Sequence, residues 1–466
     1  MFFRSFFDEY LAHMSYLVGC QRTGEAIIID PARNIDQYLE VAEKEELTIT
    51  AAAETHIHAD YLSGAKEIAK QCDATLYLSD EGDKNWKYAF VDEVKHVLLR
   101  EGEKFQIGHI DFEVIHTPGH TPESISFILT DLGGGASEPM GIFTGDFVFV
   151  GDVGRPDLLE KAAGEEGTAD VGARLMFQSL KKFKELPDFL QVWPAHGAGS
   201  ACGKALGAVP SSTVGYEKRN NWALQIDDEE KFVETLLAGQ PEPPTYFAMM
   251  KKLNKLGPND LRYLPIKKLK SVDELNKYGS DTYILDTRAP ELFAYAHYKH
   301  AINIPFTTAL PNWAGWLLDY DKDIVLVSPA DDVEYIRRAL ASIGLDRVVA
   351  TIEPTITLED ETLVENYEKI DVEQLQSYRN DSDYHIIDVR NQDEWEAGRI
   401  EPAQHIMLGT LPKRLDELPQ GKTYITYCRA EGRSAIAASI LQANGFNNVM
   451  IVNGGYLAWT REKSTV

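Results

Sequence analysis

Short apolar runs bounded by Gly, Pro, Asp and Asn recur along this chain and alternate with longer stretches of helical period. Ala26–Ile29 predicts a buried strand closed by a turn at Asp30-Pro31, residues 35–46 have the apolar spacing of a helix, and Ile49–Ala53 returns to strand. A helix is expected over 62–71, followed by strands at Thr75–Leu78, His96–Leu99, Phe112–Ile115 and Ile125–Leu129. Gly141–Phe143 and Phe189–Trp193 predict two more. Strands interleaved with helices in this way indicate an α/β multidomain protein.

The second half of the chain repeats itself. Ile284-Leu-Asp-Thr-Arg288 matches Ile386-Ile-Asp-Val-Arg390 at an offset of 102 residues, and Ile324–Ser328 matches Tyr424–Cys428 at an offset of 100. A period of domain size means tandem duplication of a small α/β unit, with helices expected at 333–343 and 434–443. Residues 238–262 carry the Pro/Gly punctuation of a boundary. Three domains follow, at 1–245, 263–355 and 365–463, which suits a length of 466 residues.

Composition narrows the function classes. Lys plus Arg number 46 against 73 for Asp plus Glu, and the net charge of −27 argues against binding nucleic acid or an anionic membrane face. No apolar run approaches the roughly 20 residues that span a bilayer. The segment Met1–Glu9 carries acids early and lacks a signal-peptide core, so a cytoplasmic location is expected. Cysteines stand only at 20, 72, 202 and 428, without a CxxC pair, which favours reduced thiols over a disulfide framework.

The candidate chemistry sits just past the predicted strands. Thr55-His56-Ile57-His58-Ala59-Asp60-Tyr61 follows one of them, and His116 and His120 in His-Thr-Pro-Gly-His, Asp146 in Thr-Gly-Asp, and His196 in Pro-Ala-His-Gly follow others. Strands fix such ligands in place while the loops leave an open face, as a metal site requires. His13 and His109 read as ordinary satisfied polar residues.

This ordered set of motifs resembles the metallo-β-lactamase superfamily over about residues 1–245. The resemblance implies an αββα sandwich of two mixed sheets. Two-metal members carry a histidine where this chain has Tyr61, and a phenol is a poor substitute for imidazole at a zinc site. The window Glu54–Gly64, with Gly151–Leu158, is similar to the persulfide dioxygenase branch. That similarity implies one Fe(II) per chain, with zinc as a substitute, held by His56, His120 and Asp146. Two imidazoles and one carboxylate form the facial triad of non-haem iron oxygenases, which leaves positions for a persulfide sulfur and O2 together. His58, Asp60, Tyr61 and His196 would surround these ligands and orient them or bound water. Arg155 is a candidate for an anionic part of the substrate, and Cys20 and Cys202 are candidates for a sulfur relay.

In the repeat, Cys428-Arg-Ala-Glu-Gly-Arg-Ser434 joins a strand to a helix, where inward backbone N–H groups and a helix N-terminus favour a thiolate. With Asp388-Val-Arg390 and Glu394–Ile400 it resembles a rhodanese domain, which implies Cys428 as persulfide carrier, supported by the charges of Arg429 and Arg433. Cysteine-dependent phosphatases have a loop one residue longer, and the tighter cradle suits a terminal sulfur. The first copy has Ser328-Pro329-Ala330-Asp331-Asp332 in this place, so it is expected to be inactive and to act as a spacer.

The resemblances imply oxidation of a low-molecular-weight persulfide with O2 to thiol and sulfite. Sulfur transfer through Cys428, giving or consuming thiosulfate, would be coupled to it in sulfide and persulfide detoxification. A homo-oligomer is expected on the same ground. Two alternatives stand beside this reading: a two-zinc thioester hydrolase of the glyoxalase II type, and a non-enzymatic sulfur carrier.

Overall fold

The computed structural model describes residues 1–158, 160, 167–200, 202–204, 206–261 and 265–463. The chain divides into two compact units, Met1–Arg262 with Ser342–Gly344, and Tyr263–Ala341 with Leu345–Val466. The expected domain start at 263 lies outside the described residues.

The first unit contains two six-stranded mixed sheets. One runs in sequence order through β1 (Phe2–Asp8), β2 (His13–Cys20), β3 (Glu25–Ile29), β4 (Thr48–Ala53), β5 (Thr75–Ser79) and β6 (His96–Leu99). The other comprises β7 (Lys104–Ile107), β8 (Ile110–His116), β9 (Ile125–Asp131), β10 (Gly141–Gly145), β11 (Gln191–Pro194) and β12 (Ser212–Thr213). Strand alternation explains the layers. Val18, Ile27, Ile29, Ala51 and Ala53 face inward and meet Phe112, Phe127, Phe143 and Trp193 of the second sheet. Leu17, Ala26, Ile28 and Ala52 face outward and pack under helices Asp36–Lys44 and Ala65–Gln71. On the far face, Ile142 and Val192 pack with Phe177, Leu180 and Phe183 of the helix Thr168–Glu185. This is the αββα sandwich expected from the resemblance.

Some details differ from the sequence reading. The second helix starts at Ala65 and not at 62, because the Ser63 hydroxyl accepts from Ala65 N (2.9 Å) and donates to buried Glu54, forming a turn ahead of the helix. The unit also runs past the expected limit at 245. Helix Phe247–Leu256 belongs to it, and its Asn254 is buried, accepting from Ser63 N (2.9 Å) and donating to the carbonyls of His58 (2.8 Å) and Tyr61 (2.7 Å). The punctuated stretch 238–262 therefore holds a structural element that pins the histidine loop.

The second unit holds both copies of the repeat. The first copy has β13 (Lys267–Lys268), β14 (Thr282–Asp286), β15 (His297–Tyr298), β16 (Ile302–Asn303), β17 (Asp323–Val327) and β18 (Val348–Ile352). The second has β19 (Val364–Glu365), β20 (Glu368–Ile370), β21 (Tyr384–Asp388), β22 (Gln404–His405), β23 (Thr423–Tyr427) and β24 (Val449–Val452). Their five-stranded sheets, β13-β18-β17-β14-β16 and β20-β24-β23-β21-β22, share one parallel strand order, and β15 pairs with β19 across the copies. Among the described residues no helix is long and apolar enough to cross a membrane.

Candidate functional site

The ends of β4, β10 and β11 come together. Ile125 N donates to Thr55 O (2.8 Å), and Ala195 N to Gly145 O (3.1 Å). Gly145 has φ +53°, and a Cβ there would overlap the Thr55 side chain, so only glycine lets Asp146 approach the His56 loop this closely. The outcome is a buried group of His56, His120 and Asp146, whose ligand atoms lie within 4.8 Å of one another.

Each imidazole is aimed by its other nitrogen. The Thr55 hydroxyl donates to Asp30 Oδ2 (2.9 Å), so at 3.0 Å it accepts from His56 Nδ1–H and leaves Nε2 bare. His120 Nδ1–H donates to Arg155 O (2.9 Å), and His196 Nδ1–H to Ala12 O (3.2 Å). His56 Nε2, His196 Nε2 and both carboxylate oxygens of Asp146 and of Asp60 are buried with no hydrogen-bond partner. Each such orphan costs on the order of 1–3 kcal/mol unless something satisfies it. His196 Nε2 lies 3.1 Å from Asp60 and 3.3 Å from Asp146 without hydrogen-bond alignment to either, which is the geometry of groups converging on a common cation. Burial and neighbouring imidazoles hold His56 well below the usual imidazole range, and burial lowers His120. Burial opposes the charge of Asp146, but His196 and His120 outweigh it and keep the carboxylate ionised. Neutral imidazoles beside a carboxylate suit a divalent metal, and the iron implied by the resemblance fits this donor set.

The residues expected around the ligands take distinct places. His58 turns away, with Nε2 between Asp30 (3.1 Å) and Glu54 (3.0 Å); burial opposes its charge, yet the two carboxylates hold it well above the usual imidazole range. Tyr61 packs against His13 with ring centroids 3.8 Å apart and planes tilted by 34°, and its hydroxyl donates to Asp30 O (3.3 Å), away from the ligands. Asp60, His196 and Cys202 form a second buried group of ligand type, and burial, with Asp60 and Asp146, pushes the Cys202 thiol up. His116 is not in either group; its Nε2–H donates to Pro122 O (2.9 Å).

Three expectations change. Arg155 is fully buried, paired bidentately with Asp157 (2.7 and 2.7 Å) and bonded to Pro241 O (2.7 Å), so it braces the loop that orients His120, while its Nη1 has no hydrogen-bond partner among the described residues. Cys20 ends the strand that His13 begins, roughly 20 Å along it from His13 at about 3.3 Å per residue. Its sulfur accepts from His109 N (3.3 Å), and it takes no part in the centre. His13 is no ordinary polar residue: it is buried against Tyr61, and its bridge partner is His196. No local signal marked His13, Asp30 or Asn254, because only sheet pairing and a distant helix bring them here.

In the second unit, Cys428 is buried at the end of β23, ahead of helix Gly432–Ala443, with its sulfur 3.7 Å from Ser434 Oγ. Its carbonyl accepts from Tyr456 N (2.8 Å). Gly455, at φ +56°, packs against the loop, and a Cβ there would collide with the carbonyl oxygens of Cys428 and Ala430. Arg433 is clamped by Glu394 (2.6 and 2.8 Å), so its charge is shared before it reaches the sulfur, while Arg429 is exposed. Arg390 ties Asp388 (2.6–3.0 Å) to Gly398 O (2.7 Å), and Arg288 repeats this with Asp286 (2.6–3.0 Å) and Ala296 O (3.0 Å). The shared Asp-x-Arg motif is thus a scaffold clamp. In the first copy Glu353 accepts from Ala330 N (3.0 Å), so a carboxylate takes up an N–H of the loop that would otherwise face an anion.

Residues 9–196 match the metallo-beta-lactamase superfamily, and residues 371–462 match the rhodanese-like domain. A solved structure of a metallo-beta-lactamase from Staphylococcus aureus is 45% identical, with a TM-score of 0.71, over 76% of this chain and 99% of that one. The mitochondrial persulfide dioxygenase ETHE1 of Bos taurus is 25% identical over 238 residues, 50% of this chain and 79% of that protein. A hydroxyacylglutathione hydrolase of Rhodospirillum rubrum is 32% identical over 189 residues, 41% and 62% of the two. With its buried metal-ligand group and its cysteine loop, the chain belongs to the metallo-beta-lactamase superfamily and carries a C-terminal rhodanese-like domain.

Proposed function

We propose that this protein oxidises a low-molecular-weight thiol persulfide and passes sulfane sulfur through Cys428. The first reaction is RSSH + O2 + H2O → RSH + SO3²⁻ + 2H⁺. In the second, the Cys428 persulfide gives its outer sulfur to sulfite to form thiosulfate, or runs in reverse to load a thiol. The observation that carries this reading is the buried group of two imidazoles and one carboxylate, His56, His120 and Asp146, in the same chain as a cysteine loop of rhodanese type.

Fe(II), when bound there, supplies the redox chemistry that brings O2 and the persulfide together. The chain's own residues prepare the place. Asp30 through Thr55 aims His56, the Arg155 carbonyl aims His120, and Arg155 itself is locked by Asp157. His196, whose Nε2 lies 3.1 Å from Asp60 and 3.3 Å from Asp146, faces the same space and is placed to orient a bound ligand or water. At Cys428 the loop and the helix N-terminus stabilise the thiolate and then the persulfide anion.

The test is O2 uptake by iron-loaded protein with glutathione persulfide. No uptake would sink the dioxygenase. Cys428→Ser should abolish thiosulfate formation and leave O2 uptake intact; loss of both with folding preserved would refute the division of labour. A second reading, a two-metal thioester hydrolase, is favoured by one observation: Asp60, His196 and Cys202 converge beside Asp146 and offer a second ligand set. Two zinc ions per chain with thioesterase activity and no O2 uptake would establish it.

A further inference from the structure

Cys428 opens into a cavity of about 360 Å³ that is walled by both copies of the repeat. Cys428 and Arg429 line one side; Ile304, Pro305, Thr307 and Trp313 of the cysteine-less copy line the other. The two walls are fixed to each other. Asn303 N, next to Ile304, donates to Ser439 Oγ (3.0 Å) on the helix that follows the Cys428 loop. Gly409 of the second copy packs against Trp316 of the first, where a Cβ would overlap the indole. Ile304 N is held by Asp286 O (3.1 Å) and Phe306 N by Thr287 O (2.9 Å), so the wall is anchored to its own sheet.

The cavity is larger than a small inorganic dianion needs. Its volume falls in the range of organic-ligand pockets. One face is apolar and aromatic, Arg433 is already paired with Glu394, and the remaining guanidinium, Arg429, stands exposed. Glu431 also lines the cavity, but its carboxylate is bonded to Lys369, so an apolar wall beside the Arg429 guanidinium suits an extended carrier bearing an anionic group.

Resting on the sulfur-transfer reading above, we infer that the first copy is a substrate-binding wall and not a spacer: it seats the carrier of an organic persulfide donor, R–S–SH, at Cys428. The Cys428 thiolate attacks the outer sulfur, and the new Cys–S–S⁻ bond forms as the R–S bond to that sulfur breaks. The departing thiolate takes up the persulfide proton as RSH, and no net oxidation occurs. The carrier lies along Ile304, Pro305 and Trp313, and its carboxylate or phosphate meets Arg429.

The test compares two donors of sulfane sulfur, glutathione persulfide with a carrier and thiosulfate without one, on the full chain. Trp313→Ala should lower the ratio of kcat/KM for glutathione persulfide to that for thiosulfate by about tenfold, the loss expected for one aromatic contact. Trp313→Phe should restore most of it. Thr307→Trp, at an exposed position and with folding checked by circular dichroism, should lower the same ratio by filling the carrier's space. A ratio within twofold of the parent in both Trp313→Ala and Thr307→Trp overturns the inference. Calorimetric binding of reduced glutathione to Cys428→Ser protein separates the two levels. Binding that weakens with Trp313→Ala, where the parent chain with Cys428 intact transfers no sulfur from either donor, keeps the wall and removes the sulfurtransferase reading. Binding that is absent or indifferent to Trp313 removes the wall while transfer stands.

Discussion

Thr55 and His56 are sequence neighbours whose side chains bond to each other, Oγ1 to Nδ1 at 3.0 Å, and this bond decides which imidazole nitrogen is free. Thr55→Val would keep shape and lose the acceptor, letting the ring turn or change tautomer. Iron affinity, measured by competition with a chelator, should fall about 10- to 100-fold. An affinity within twofold of the parent would show that the ring is held by packing alone.

Gly455 should be irreplaceable for a different reason. Alanine there must adopt a left-handed backbone and press a methyl group into the carbonyls of Cys428 and Ala430. Strain at such a position amounts to roughly 1–3 kcal/mol. Urea unfolding of Gly455→Ala should therefore show a loss of at least that order, and sulfur transfer should drop with it. Normal stability would mean that the Tyr456 segment can shift away freely.

Glu394→Gln should make Cys428 more reactive. The substitution frees the Arg433 guanidinium from its clamp and leaves it near the sulfur. Alkylation by iodoacetamide at mildly acidic pH should speed up several-fold, since the thiolate is the reacting form. Slower or unchanged alkylation would assign Glu394 a role other than masking Arg433.

Acid should weaken the second unit through His297. Burial pushes its imidazole down to about 4, against an ordinary value of 6.5. Between these values the unfolded chain binds a proton that the folded chain refuses. The stability this residue contributes is thus complete above pH 6.5 and lost as pH falls towards 4. At pH 5 the loss is on the order of 2 kcal/mol relative to pH 7.5. In His297→Gln the difference in urea stability between these two pH values should shrink by that amount; an equal difference in both proteins would assign the acid sensitivity elsewhere.

What the sequence revealed depended on distance along the chain. His56, His120 and Asp146 were legible because each closes a short motif at a strand end, and Cys428 because its whole loop is contiguous. Asp30 and His13 were not, since β3 and β2 deliver them to the centre only once the sheet has formed. Arg155 misled because an arginine in a glycine-rich loop looks exposed, whereas Asp157, two residues on, lets it be buried as a pair. Strands β1 and β2 escaped the reading too, as β2 is buried on both faces and shows no alternation. Asn254 had no local signal at all. Its helix lies in a stretch whose prolines and glycines suggested a linker.

The paired clamps Asp286–Arg288 and Asp388–Arg390 have a consequence for ancestry. They hold each copy together from positions remote in sequence from its loop, so inheritance of the fold and inheritance of the reaction rest on separate residues. After duplication, drift could erase a cysteine at Ser328 and install Pro329 without endangering the strands beneath. A copy relieved of chemistry in this way is free to diverge on its surface, and what selection can still see there is the shape it offers to its twin.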